Sequence, residues 1–140
     1  MRTTNIKYEQ ITIEDYLSFD IKNSVIIGQD AGNILKNSAS DGQDDHFNVL
    51  IGNNVCTKSK KISKNILIGY ENSKTLTNST SNIILGNNYN YKIDNISNTS
   101  IIGNNNNIKH NLYYNTILGN NNITNENYSI IIGNGNNIIK

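Results

Sequence analysis

Ser81-Asn82-Ile83-Ile84-Leu85-Gly86 holds two polar residues, three aliphatic residues and a glycine, and this six-residue phrase recurs along most of the chain. The other copies are Asn23-Ser-Val-Ile-Ile-Gly28, Phe47-Asn-Val-Leu-Ile-Gly52, Lys64-Asn-Ile-Leu-Ile-Gly69, Asn98-Thr-Ser-Ile-Ile-Gly103, Tyr114-Asn-Thr-Ile-Leu-Gly119 and Tyr128-Ser-Ile-Ile-Ile-Gly133. Successive glycines lie 24, 17, 17, 17, 16 and 14 residues apart. That interval is too short for a pair of helices and suits one coil of a β-solenoid. The fold expected is therefore all-β, a parallel β-solenoid of about seven coils.

Within each copy the three aliphatic residues point to alternate faces of a strand. An apolar residue on both faces means that both are covered. The residues one and three before each glycine are assigned to the solenoid interior. The row two before it, Ile26, Leu50, Leu67, Ile84, Ile101, Ile117 and Ile131, is assigned to a seam between copies of the chain. The alternative is that this row faces a second strand layer of the same chain. Gly28, Gly52, Gly69, Gly86, Gly103, Gly119 and Gly133 are read as turn residues that end each strand, with positive φ or close backbone approach.

Asn follows the glycine in most copies, as Asn53, Asn87, Asn104, Asn120 and Asn134, where it tolerates the left-handed region. Stacked coils set equivalent amides about 4.8 Å apart, so these Asn form one expected ladder. Asn48, Asn65, Asn82 and Asn115, one position before the aliphatic run, form another. Weaker second strands are expected at Thr75-Leu76-Thr77, Tyr91-Lys92-Ile93, Asn107-Ile108-Lys109 and Asn122-Ile123-Thr124. The long first interval carries an inserted loop near Lys36–Asp45. The domain division is 1–22, an N-terminal cap or docking segment, and 23–140, the repeat domain. The cap reads as a helix start at Thr12 or a short strand at Ile11–Ile13, with Tyr16, Leu17 and Phe19 covering the first coil. At the other end Asn136-Asn-Ile-Ile-Lys140 runs in mid-coil, an open edge for stacking.

Composition narrows the function classes. Hydrophobic residues are 36 % of the chain and there is no proline, a balance that regular Ile runs turn from disorder toward stacked strands. The net charge of +1 carries no basic excess of the kind nucleic-acid binders use. No apolar run reaches the length of a membrane helix, and Met1–Gln10 lacks the apolar stretch of a Sec signal peptide. Cys56 is the single cysteine and reads as a small packed residue.

Candidate chemical groups are few. Asp44-Asp45-His46 reads as a solvated loop, His110 as an isolated surface residue, and Gly133-Asn-Gly135 as repeat rather than dinucleotide fingerprint. Lys58, Lys60, Lys61 and Lys64 form the one basic cluster, read first as a soluble, pairing-averse edge and second as an anion or glycan contact. Tyr89, Tyr91, Tyr113, Tyr114 and Tyr128 either cover the solenoid or stack on sugars. No catalytic, cofactor-binding or metal-binding residue is assigned, and no enzyme activity is expected.

Ser24-Val-Ile-Ile-Gly28-Gln-Asp-Ala-Gly32 shows an apolar pair, Gly, two polar residues, Ala and Gly. In this the chain resembles the head repeats of trimeric autotransporter adhesins and the related repeats of phage and giant-virus fibre proteins, over Asn23 to Lys140. The resemblance implies a left-handed β-roll, usually trimeric, used for adhesion or spacing at a bacterial or virion surface. The chain departs from it in a longer period and in Asn where the heads carry Ala. The expectation is thus an oligomeric virion fibre or extracellular surface-head protein, a homotrimer whose further partner is a host-surface glycan. It includes neither nucleic acid nor membrane insertion. The alternative is a self-assembling filament or lattice subunit stacking end to end through open β-edges. An ice-binding face would need a regular Thr ladder, and Thr99, Thr116 and Thr124 do not share a register.

Overall fold

The computed structural model of the chain describes residues 17–21, 23–32, 46–73, 75–88, 93–108 and 111–139. The inserted loop at Lys36–Asp45, the helix start or short strand before Leu17, and the pair Tyr91-Lys92 lie outside them. The described residues contain strands and turns and no helix. Each repeat phrase becomes a strand: β2 (Ser24–Ile27), β3 (Val49–Ile51), β5 (Ile66–Ile68), β7 (Ile83–Leu85), β9 (Ser100–Ile102), β11 (Thr116–Leu118) and β13 (Ile130–Ile132). They stack in parallel in that order, as a β-solenoid does, and β1 (Leu17–Ile21) pairs antiparallel with β2 along one edge. The register is continuous, Ile26↔Leu50↔Leu67↔Ile84↔Ile101↔Ile117↔Ile131.

That row is the interior of the solenoid. All seven side chains are between 0 and 3 % exposed within one chain. The seam between copies expected there is therefore corrected: the row faces other strands of its own chain, the alternative given above. It packs against Val55, Cys56, Ile62, Leu76, Ile96, Ile108 and Leu112 from the rest of each coil. Ile66, Ile68, Ile83, Ile102 and Leu118, assigned to the interior, stand on the outer face at 37 to 44 % exposure. A three-residue strand with aliphatics at every position has no intrinsic inside, and the arc of chain that closes behind it decides.

The closing arcs are of two kinds. In the earlier coils β4 (Lys60–Ser63), β6 (Leu76–Thr80) and β8 (Ile93–Asp94) form one parallel sheet, and in the later coils β10 (Asn107–Ile108), β12 (Ile123–Thr124) and β14 (Asn137–Ile138) form another. The two sheets start at different distances from their glycines. β6 begins seven residues after Gly69, whereas β10 begins four after Gly103.

The corners are left-handed. The residue five before each glycine (Asn23, Phe47, Lys64, Ser81, Asn98, Tyr114, Tyr128) has φ between 54° and 60°. The residue two after it (Asp30, Asn54, Glu71, Asn88, Asn105, Asn121) has φ between 53° and 58°. Non-glycine residues hold this conformation at a cost of about 1 kcal/mol or more unless their surroundings enforce it. Here the enforcement is stacking. From Asn54 onward the N–H of the corner residue donates to a carbonyl of the preceding coil, as in Asn54 to Gln29 at 2.9 Å and Asn121 to Asn104 at 3.0 Å. The left-handed residue is thus one later than the Asn expected to adopt it.

Glycine is required for a second reason, best seen at Gly69. Its φ of 144° is strained for an L side chain, and a Cβ there would overlap the carbonyl oxygen of Gly86 in the next coil. The N–H of each such glycine reaches back to the preceding coil at 2.8 to 2.9 Å, from Gly52 to Ile27 through Gly133 to Leu118.

Candidate functional site

Three amide columns run along the stack. The first is buried. Asn48, Asn65 and Asn82 each receive the backbone N–H of the next coil on Oδ1, at 3.0 to 3.1 Å, and link to one another through Nδ2–H···Oδ1 bonds of 2.9 to 3.1 Å. Each Nδ2 also donates to a backbone carbonyl across the coil, those of Ile62, Ser79 and Ile96. Thr99 then breaks the column, and the Nδ2 of buried Asn115 has no partner among the described residues.

The second column is exposed. Asn87, Asn104, Asn120 and Asn134 are joined by side-chain bonds of 3.0 to 3.2 Å, and each acceptor oxygen also takes the N–H of the preceding coil. Asn53 serves Gln29 in the same way. The third column, Asn106, Asn122 and Asn136, was not anticipated, although each residue stands three after its glycine. Asn122 and Asn136 donate to the preceding Oδ1 at 2.9 to 3.0 Å, and Asn106 and Asn122 donate across to the carbonyls of Gly119 and Gly133. These columns are structural. Most of their donors and acceptors bond to neighbouring coils.

What remains available is the outer face of the main sheet. One column, directly before the glycines, is aliphatic in every copy: Ile27, Ile51, Ile68, Leu85, Ile102, Leu118 and Ile132. The other, three before the glycines, is Val25, Val49, Ile66, Ile83, Ser100, Thr116 and Ile130. Neither column holds a charge. Seven strands at about 4.8 Å make a strip about 30 Å long. Exposed aromatic residues sit at one corner beside it, Phe47, Tyr114 and Tyr128. Tyr114 and Tyr128 stack with centroids 5.3 Å apart and planes at 10°.

The other candidate groups do not converge. Among the described residues no three of His, Cys, Asp and Glu come together as a metal cluster would. His46 packs edge-on against Phe47 at 5.2 Å, while Asp44, Asp45, His110, Tyr89 and Tyr91 lie outside the described residues. Cys56 is fully buried, and that burial pushes its thiol up to about 12 against a smaller downward effect of its bond to Ser59. Among the described residues no helix is long and apolar enough to cross a membrane. Lys58 and Lys60 flank a shallow polar trough across β4, β6 and β8. The chain matches no family model, no curated protein and no solved structure.

Proposed function

We propose that this protein is a non-enzymatic structural module that associates with copies of itself side by side through the outer face of the main sheet. A trimer is the favoured assembly, and the assembly serves as a fibre or surface-head unit for attachment or spacing. The observation that carries the reading is the uncharged aliphatic strip. A strip about 30 Å long and 10 Å wide covers about 300 Å², within the range of the largest apolar patch on a typical monomer, which is often functional. With the corner aromatics included, its footprint approaches the low end of specific interfaces.

Its period argues for a second copy as the occupant. Side chains recur at the strand spacing along the whole strip, and a partner that matches them end to end must carry the same repeat. This chain does. Ser100 and Thr116 add direction. Both lie off the centre of the strip, which falls at Ile83. Antiparallel packing sets these hydroxyls against Ile66 and Val49, where each buried hydroxyl without a partner costs about 1–3 kcal/mol. Parallel, in-register packing sets Ser100 against Ser100 and Thr116 against Thr116, where the hydroxyls bond one another. The resemblance to adhesin and fibre repeats supports placing such an assembly at a virion or extracellular surface.

Light scattering of the purified chain tests this, alongside an Ile68→Asp/Ile102→Asp variant. The expected result is a discrete oligomer of parallel chains that falls to monomer in the variant while its β circular dichroism is kept. A monomeric wild type overturns the reading. Long filaments, unaffected by the variant, replace it with stacking through strand edges.

A further inference from the structure

The exposed amide column holds a chemical exception at Asn134. After Gly52, Gly86, Gly103 and Gly119 the column Asn is followed by a second Asn at the left-handed corner, Asn54, Asn88, Asn105 and Asn121. After Gly133 the column residue Asn134 is followed by Gly135, with φ 69°. This is the only Asn-Gly step in the chain. Glycine takes a left-handed corner without the strain that a Cβ brings. It also leaves its backbone nitrogen unshielded, and a Cβ placed there would meet nothing within 4 Å.

The nitrogen that follows an Asn can close a five-membered ring on the side-chain carbon Cγ, provided that both groups are free to meet. In the folded chain both are held. The N–H of Gly135 donates to the carbonyl of Asn120 at 3.0 Å. Asn134 Oδ1 accepts from Asn120 N at 2.8 Å and from Asn120 Nδ2 at 3.0 Å. All three restraints come from one residue of the preceding coil, so they are released together when the coil of Gly133 lifts away. That coil is also thinly covered. Ile130 and Ile132 are 76 and 72 % exposed, whereas Ile66, Ile68, Ile83, Ile102 and Leu118 are 37 to 44 % exposed. Segments with few buried contacts open locally at low free energy.

We propose that Asn134 is a deamidation site gated by opening of its coil. In the opened coil the Gly135 nitrogen gives up its proton to solvent and bonds to Cγ of Asn134. The Cγ–Nδ2 bond breaks, and the departing nitrogen takes up a proton and leaves as ammonia. Water then opens the ring at one of its two carbonyls. Attack at Cγ restores the ordinary backbone with a carboxylate side chain. Attack at the main-chain carbonyl leaves the backbone routed through Cγ and longer by a methylene. In both cases an amide and water become a carboxylate and ammonia. The two products differ in the fold. The ordinary aspartyl keeps an oxygen for both Asn120 donors, and its coil closes again. The isoaspartyl form moves the Gly135 nitrogen off the Asn120 carbonyl and shifts Asn136, which donates to Asn122 Oδ1 at 2.9 Å, so the coil no longer docks. A reversible opening is thereby recorded as a covalent change.

The test follows the full chain at mildly alkaline pH, folded and in urea, by peptide mapping that separates aspartyl from isoaspartyl products. In urea Asn134 is expected to react before every other Asn. In the folded chain its rate is the open-state rate multiplied by the fraction of coils open, and is expected to be at least about tenfold slower. Asn120→Ala removes one donor to Asn134, and should raise the folded rate severalfold with the urea rate unchanged. Gly135→Asn installs the corner residue of the neighbouring coils, and should slow the reaction in both states while β circular dichroism is kept. Equal rates in the folded and urea-unfolded chains overturn the gating, as does a folded rate indifferent to Asn120→Ala. A different Asn reacting first in urea overturns the site. The readout is a covalent change within one chain, so this inference and the self-association reading fail separately.

Discussion

Asn65→Asp replaces one atom in the buried amide column and should convert a pH-indifferent position into a pH-sensitive one. Asn65 is fully buried and makes four side-chain bonds. Its Oδ1 accepts from Asn82 N at 3.0 Å and Asn82 Nδ2 at 2.9 Å, and its Nδ2 donates to Asn48 Oδ1 at 3.1 Å and Ser79 O at 3.0 Å. Asp keeps the two accepted bonds and turns a second oxygen toward two acceptors. Protonated, it can serve only one of them, at a loss of about 1–2 kcal/mol. Ionised, it is a buried anion facing two oxygens, so its folded pKa rises above the unfolded value of about 3.9. The sign follows. Between the two pKa values the folded chain holds a proton that the unfolded chain has released, and stability falls as pH rises, by about 1.4 kcal/mol per unit. From pH 4 to pH 7 the variant should lose stability relative to wild type, by up to ~4 kcal/mol if its folded pKa lies above 7. Urea unfolding of both proteins across this range, compared as a difference, cancels the other titrating groups. A difference that stays constant with pH would refute the closed ladder.

Three further outcomes are expected. Thr99→Asn should complete the buried column by giving the Nδ2 of Asn115 an acceptor, and should raise the unfolding free energy by about 1 kcal/mol in urea melts. Gly69→Ala should destabilise by about 4 kcal/mol or more, since its Cβ overlaps the Gly86 carbonyl and its φ is unfavourable, and thermal unfolding would register the loss. Cys56 should resist thiol reagents at pH 8 while folded, because burial holds its pKa at about 12, and should label at the rate at which the chain opens.

The spacing of glycines and the aliphatic triplets made the stacked parallel strands legible from sequence, because a fixed repeat that short has few alternatives. Which face of each strand lies inside was not read correctly. Ile-Leu-Ile offers the same chemistry to both sides. One signal was present: Ser100 and Thr116 interrupt the column three before the glycines, whereas the column two before them is aliphatic in every copy. The buried amide column was legible because Asn48, Asn65 and Asn82 recur at one offset. The column of Asn106, Asn122 and Asn136 was hidden among neighbouring Asn residues. So many amides stand after each glycine that only the fold tells a ladder residue from a left-handed corner. The trough could not be read at all, since it depends on Thr75 and Thr77 falling between longer side chains of adjacent coils.

The unequal glycine intervals acquire a meaning from the carbonyl contact at Gly69 and the corner hydrogen bonds. Among the described residues, the strand before each glycine and the corners on either side of it bond to the neighbouring coil. A single inserted or deleted residue there breaks that coil's register with its neighbours. The arc between is where coils of 17, 16 and 14 residues differ. Lengthening the protein is therefore a matter of whole units. Duplicating one coil in frame adds a step of about 4.8 Å and a new rung on every column.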